Sequence, residues 1–282
     1  MTLLPKMGFL GPKGTFSEKA LKTYLTHTGL QVEASAFVVI TAALSEGYEF
    51  LVLPWENSTE GSIVEALDFL IGTPHFTIIG EVILPIEQVL LAKAGTSVTD
   101  ITDILSHPQP LAQCHDYLQA HFSQISCHKV SSTAYAAQCV SKGDHRVLAA
   151  IGNEELAEIY QLDILARHIQ DSEHNSTRFV VVQKGNVLPP ATGHDKTTLV
   201  FSTQKDRPGS LVEVLSEFSL RGINMTSIIS RPAKKKLGDY LFLIECKGHQ
   251  NDASFTEALA EIKTKTSFLK ILGSYPEWRP NS

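Results

Sequence analysis

Short apolar runs and amphipathic stretches take turns along residues 1–185. Apolar runs bounded by turn-forming residues read as strands, and apolar positions recurring every three or four residues read as helices. On this basis Met7–Leu10, Phe50–Leu53, Thr77–Leu84, Gln88–Lys93, Ser126–Val130, Arg146–Ile151 and Phe179–Gln183 are predicted strands. Thr15–Tyr24, Ile63–Ile71, Leu111–Phe122 and Thr133–Val140 are predicted helices. The first opens on a capping box, Thr15 with Glu18 three residues on. Strands and helices in alternation predict parallel α/β layers.

The rhythm changes at KGNVLPPATGHDK, residues 184–196, where two prolines and two glycines break the apolar pattern. Such a stretch predicts a linker. Beyond it the predicted order is strand (Thr197–Ser202), helix (Gly209–Leu220), strand (Asn224–Ser230), strand (Tyr240–Cys246), helix (Phe255–Ile262) and strand (Phe268–Gly273). That βαββαβ order is the ferredoxin-like arrangement.

Composition narrows the partners. The 282 residues are 43% hydrophobic and 19% charged, with 24 basic against 30 acidic side chains and a net charge of −6. These proportions describe an ordinary globular protein and argue against nucleic acid as a partner. The one dense basic run is Lys234-Lys235-Lys236. No window holds the ~18 apolar residues of a membrane span, and MTLLPKMGFLGPKG does not read as a signal peptide. Cys114, Cys127, Cys139 and Cys246 are scattered, as suits reduced thiols in a cytoplasm. The eleven histidines show no ligand spacing, so neither a metal nor a cofactor is expected.

Four polar stretches sit where strands give way to helices, or lead into a strand. In FLGPKGTFSE (9–18) the helix start and the Thr15 and Ser17 hydroxyls suit a carboxylate or phosphate. In VLPWENSTEGSI (52–63) Glu56, Asn57, Ser58 and Thr59 crowd a strand's carboxyl end, where open α/β sheets bind ligands, and Ser62 is placed to cap the next helix. LSHPQPLAQC (105–114) repeats that grammar with Ser106, His107 and Gln113. In EHNSTRFVVV (173–182) Arg178 beside Thr177 offers a carboxylate its bidentate fork. Each stretch also has a plain structural reading as a polar turn and a helix cap. Together they predict a cleft for a small polyanion, with no Ser-His-Asp or Cys-His constellation.

These same stretches resemble prephenate dehydratases, over nearly the whole chain and in the same order. GPKGTFSE resembles G-P-x-G-T-F-S-E, PWENSTEGSI resembles P-I-E-N-S-x-E-G-S-V, SHPQPLAQC resembles S-H-P-Q-A-L-A-Q-C, and NSTRF resembles N-x-T-R-F. DRPGSL and ISRP resemble the phenylalanine-binding motifs of ACT domains, with Ile229 in place of a glutamate and Ser210 in place of an alanine. The resemblance implies an α/β fold: a two-lobed catalytic region resembling type 2 periplasmic binding proteins, followed by a ferredoxin-like ACT domain. It implies a catalytic domain over 1–185 (lobes 1–80 with 170–185, and 81–169), a linker at 186–196 and a regulatory domain over 197–282.

The activity so implied is loss of CO₂ and water from prephenate to give phenylpyruvate, in phenylalanine biosynthesis. Catalytic roles fall on Thr177, Asn57, Ser106, Gln113 and Glu56, with either Thr177 or Glu56 as proton donor. Arg178, Phe179, Thr15, Phe16 and Ser58 are expected around the substrate. Gly209, Ser210, Leu211, Asn224, Ser230, Arg231 and Pro232 are expected around a phenylalanine effector. The implied assembly is a homodimer or homotetramer, and no chorismate mutase segment is expected before Met7. Two other readings stand beside this one: an arogenate dehydratase, or a non-catalytic anion-binding protein with an amino-acid sensor.

Overall fold

The computed structural model describes residues 4–143, 147–205, 207–233 and 240–279. The predicted strand from Arg146 therefore begins outside the described residues, and so does the Lys234–Lys236 run. The elements run β1 (Lys6–Leu10), α1 (Phe16–Thr28), β2 (Glu33–Phe37), β3 (Phe50–Asn57), β4 (Gly61–Ser62), α2 (Val64–Gly72), β5 (Phe76–Pro85) and β6 (Val89–Ala92). They continue with β7 (Asp103–Ser106), α3 (Pro108–Gln113), α4 (His115–Phe122), β8 (Ser126–Lys129), α5 (Thr133–Lys142), β9 (Leu148–Gly152), α6 (Glu155–Tyr160), β10 (Asp163–Ala166) and β11 (Ser176–Lys184). The last stretch holds β12 (Asp195–Thr203), α7 (Ser210–Ser219), β13 (Met225–Pro232), β14 (Tyr240–Lys247), α8 (Ala253–Lys265) and β15 (Thr266–Pro276).

Three sheets result, in the orders β2-β1-β3-β11-β5 with β4 on β3, β10-β6-β9-β7-β8, and β13-β14-β12-β15. The prediction of parallel layers holds for β1 with β2 and for β7 with β8 and β9. It fails for β6, which runs antiparallel to both β9 and β10. The last sheet is antiparallel throughout, with βαββαβ connectivity as expected.

Several local expectations are corrected. Thr15 and Glu18 do not form a capping box: Thr15 Oγ1 donates to Leu10 O (3.1 Å), and Glu18 accepts from Gly14 N (2.5 Å). The stretch after Leu53 is not a loop, because β3 runs on to Asn57 and folds back on β4, pairing Glu56 with Ser62. Ser62 is thereby a strand residue rather than a helix cap. The predicted Leu111–Phe122 helix breaks at Cys114 into α3 and α4. β2, β10 and α6 lacked a strong enough apolar rhythm to be foreseen, β2 having four of its five side chains outside the core.

The chain divides into two compact units. One comprises Met1–Tyr48, Val52–Ile63 and Ile83–Phe179; the other comprises Glu49–Leu51, Val64–Val82 and Val180–Ser282. In the first, β6 is buried on both faces, which explains its unbroken VLLA run. Leu90 and Ala92 pack with Ile104, Ala149 and Ile151, while Val89 and Leu91 pack with Ala137, Val140 and Ala150. In the second unit, Leu199 and Phe201 of β12 meet Val214 and Phe218 of α7 and Phe255, Ala258 and Ile262 of α8. The i, i+3 and i, i+4 spacings put each helix's apolar stripe on one face.

Candidate active site

A cavity of about 260 Å³ opens within the first unit. Its wall takes Leu10, Gly11, Thr15, Phe16 and Ser17 from the β1–α1 turn, Asn57 from the end of β3, and Thr177 and Phe179 from β11. Gln88 before β6, His107, Gln109, Pro110 and Gln113 around α3, and Ser131, Ser132 and Thr133 at the start of α5 supply much of the rest. The polar clusters thus converge because each lies at an end of a strand, three where a strand gives way to a helix or turn and one where β11 begins.

The β1–α1 turn is held tightly. Gly14 has φ +84°, and a Cβ there would lie 2.6 Å from Leu156 Cδ2, so only glycine fits. Asn153 Nδ2 donates to Gly14 O at 2.7 Å from a buried position. With Thr15 turned back to Leu10, no side chain caps α1, whose first N–H groups lie at the cavity wall. A second helix start, that of α5, lies on the same wall, capped by Ser132 accepting from Tyr135 N at 3.0 Å. Both helix starts bring positive potential without a cation.

Asn57 is the hub of the site at 2% exposure. Its Nδ2 donates to Thr177 Oγ1 at 2.9 Å and to Asn175 Oδ1 at 2.8 Å. Its Oδ1 accepts from Thr59 N (3.0 Å), Thr59 Oγ1 (2.6 Å) and Glu60 N (3.1 Å), shaping the turn. Because Thr177 Oγ1 accepts from Asn57, its own O–H is left to donate elsewhere.

Among the described residues no Lys, Arg, Asp or Glu lines this cavity, and His107 is the one titratable member. The His107 ring accepts from Gln109 N at 3.3 Å. Burial pushes the adjacent Cys114 thiol up to about 12, so it offers no thiolate at neutral pH. Among the described residues no group of three or more His, Cys, Asp or Glu could hold a metal ion.

A prephenate dehydratase family model matches residues 7–187, and an ACT domain model matches 197–264. The chain belongs to the prephenate dehydratase family. A prephenate dehydratase of Methanocaldococcus jannaschii is 37% identical over 269 residues, 94% of this chain and 96% of that protein. A crystal structure of prephenate dehydratase in complex with L-Phe, from Arthrobacter aurescens, matches with TM-score 0.87 and 35% identity, over 96% of this chain and 90% of that one. GqqA, described as a novel type of quorum quenching acylase, also matches, with TM-score 0.85, 26% identity and coverage of 97% and 98%.

The positions singled out by the prephenate dehydratase resemblance divide into two groups. Thr177, Asn57, Gln113, Thr15, Phe16 and Phe179 line the cavity together. Ser106, Glu56, Arg178 and Ser58 are absent from that wall. Ser106 is fully buried and donates to Ile151 O at 2.7 Å, tying β7 to β9. Arg178 Nη2 reaches Glu56 Oε2 at 2.8 Å, so the carboxylate it meets is the protein's own. Ser58 Oγ donates to His174 O (3.1 Å) and accepts from Ser176 N (2.9 Å), lacing two polar stretches together.

In the second unit, Gly209 caps α7 at φ +88° and Ser210 Oγ donates to Lys205 O at 2.8 Å. Leu211 packs on the α7–α8 core. Asn224 O accepts from Lys247 N at 2.9 Å. Ser230, Arg231 and Pro232 close strand β13, and the Arg231 guanidinium lies 3.3 Å from Asp68 and 3.2 Å from Val64 O on α2.

Sequence reasoning missed Gln88 and the Ser131-Ser132-Thr133 run. The latter had the right signal, three hydroxyls between a strand and a helix. Gln88 had a fainter one, a single amide between two apolar runs in LPIEQVLL.

Proposed function

We propose that this chain converts prephenate to phenylpyruvate, releasing CO₂ and water, with Thr177 as proton donor to the departing ring hydroxyl. The observation that carries the reading is the Asn57–Thr177 bond at the cavity wall, which turns the threonine proton outward. One proton is consumed: the C–O bond breaks with its electron pair on oxygen, and the oxygen leaves as water. The bond to the ring carboxylate breaks in concert, its pair completing the aromatic ring as CO₂ departs. The starts of α1 and α5 receive the two carboxylates. Phe16, Ile63, Ile86 and Phe179 on the wall keep the departing carboxylate poorly hydrated, which raises its energy relative to neutral CO₂. Asn57 and Gln113 orient the ring and the threonine, while Ser106 and the Glu56–Arg178 pair support the strands behind them. Glu56 is the weaker candidate for proton donor, because its side chain is absent from the cavity wall and rests on Arg178.

Residues 1–185 are proposed as the catalytic domain and 197–282 as a regulatory domain responding to phenylalanine, through Gly209 to Leu211 and Asn224 to Pro232. The L-Phe bound to the Arthrobacter aurescens relative supports that reading. β13 is an edge strand with Ile228 exposed, a ready surface for pairing two copies, so the proposed assembly is a homodimer or homotetramer working in the cytoplasm.

The decisive assay follows phenylpyruvate by its absorbance in alkali, with purified protein and prephenate, with and without millimolar phenylalanine. Turnover that falls with phenylalanine is the expected result. Turnover from arogenate alone would transfer the assignment to the amino-acid substrate, and inertness toward both would leave a binding protein.

A further inference from the structure

Gln88 is 1% exposed, lines the cavity, and carries one polar atom that the mechanism above leaves idle. Its Nε2 donates to Gln113 Oε1 at 3.4 Å, and its Oε1 is buried without a hydrogen-bond partner. The direction of this amide is dictated from outside. Gln113 Nε2 donates to Glu60 Oε1 at 3.4 Å, and an ionised carboxylate only accepts. Gln113 must therefore turn its NH₂ toward Glu60 and its carbonyl toward Gln88. Gln88 must answer with its own NH₂, which leaves its carbonyl oxygen over. The backbone is pinned as well, with Gln88 N donating to Gln170 Oε1 at 2.9 Å. A buried acceptor held in one direction and left unpaired is costly, and a bound donor relieves that cost.

The substrate proposed above decides which donor. Prephenate's two carboxylates and its keto group only accept, and its ring hydroxyl is its single donor. We infer that Gln88 Oε1 accepts the hydrogen bond of that ring hydroxyl, so that the leaving oxygen sits between an acceptor, Gln88, and a donor, Thr177. The inference rests on the prephenate reading and assigns the hydroxyl end of the cavity. As the C–O bond breaks, the oxygen keeps its original proton, takes a second from Thr177, and leaves as water. Thr177 regains its proton from solvent. The O–H facing Gln88 becomes more acidic during this change, so the bond is stronger in the transition state than in the bound substrate.

The test compares wild type with Gln88→Met, which keeps length and apolar bulk and removes the acceptor. Two quantities are measured: kcat/KM for prephenate, and the inhibition constant of phenylpyruvate, which lacks the ring hydroxyl. We expect kcat/KM to fall about tenfold to a hundredfold, mostly through kcat, because a donor of the substrate loses its partner. The phenylpyruvate constant should stay within about twofold, since no bond to Gln88 is lost there. Equal losses in both quantities overturn the inference, because Gln88 would then only shape the wall; an unchanged kcat/KM overturns it too.

If Gln88→Met does not fold, Glu60→Gln on the exposed turn answers the same question. That change frees both amides to reverse, so kcat/KM should drop several-fold with phenylpyruvate inhibition unmoved, and an unchanged kcat/KM overturns the inference. A wild-type protein that makes no phenylpyruvate defeats the functional reading itself. Turnover by wild type with either overturning result defeats only the role of Gln88.

Discussion

The cavity of the first unit is lined by hydroxyls, amides and one imidazole, whereas the second unit sets cations against Glu81, Asp68 and the carbonyls that end α2. Lys196 Nζ lies 3.0 and 3.1 Å from the two oxygens of the buried Glu81. Arg231 reaches Val64 O at the start of α2 and Asp68 at its middle, and Lys270 Nζ closes its end through Leu70 O (2.6 Å) and Thr73 O (3.1 Å). Burial lowers the Lys270 pKa, a sign that its charge is held away from water. The contrast has a physical reason. A buried ion pair is tolerable where its partner never leaves, but a cavity that fills and empties would strand an unpaired charge at every turnover. Hydroxyls, amides and helix starts attract a dianion while costing less when the cavity is empty. Even Arg178, adjacent to Thr177, follows the rule by resting on Glu56.

The comparison can be broken most sharply at Thr177. Replacing it with alanine removes the hydroxyl proposed as proton donor, and kcat should fall by about 10²–10⁴. Thr177→Ser should recover most of that loss, and the melting temperature of both variants should stay near wild type. Phenylpyruvate formation together with a thermal melt checks all of this; a silent Thr177→Ala would move the proton donor elsewhere.

Lys196→Met attacks the charged side of the comparison. It takes the Lys196 ammonium away from the buried Glu81, and chemical denaturation should show a loss of about 3–5 kcal/mol. Adding Glu81→Gln should return much of it, since the buried side chain is then neutral. A loss below about 1 kcal/mol for the single variant would class this pair with exposed ion pairs.

The smallest effect is expected at Cys114, beside Gln113. Its thiol is fully buried and pushed up to about 12, so iodoacetamide at pH 8 should leave it unmodified and kcat intact. Mass spectrometry of the treated protein reads this directly, with the exposed Cys127 as the internal positive control. Modification of Cys114 with loss of turnover would put a reactive group at the cavity after all.

Much of this site was legible because strand ends and helix starts are written in the sequence. Polar clusters at 9–18, 52–63, 105–114 and 173–182 each follow, precede or interrupt an apolar strand, and Thr15, Asn57, Gln113 and Thr177 duly share one wall. Direction was not legible. Glu56 and Asn57 are neighbours on β3, so their side chains leave opposite faces of the strand, and only one of them enters the cavity. Thr177 and Arg178 part in the same way on β11. Ser106 looked like a ligand-facing hydroxyl and turned out to serve Ile151 O.

What the sequence determined by itself is the set of local events: where apolar rhythm starts and stops, the βαββαβ order after residue 196, and the motifs that mark the family. These depend on neighbours within a few residues, which the chain carries with it. Tertiary structure alone decided that β6 runs antiparallel to β9, that Gln88 and Ser131 to Thr133 reach the same wall as Thr177, and that Arg178 answers Glu56. Those facts depend on strand register and on which face meets which partner, and both are fixed by packing between residues far apart in the chain.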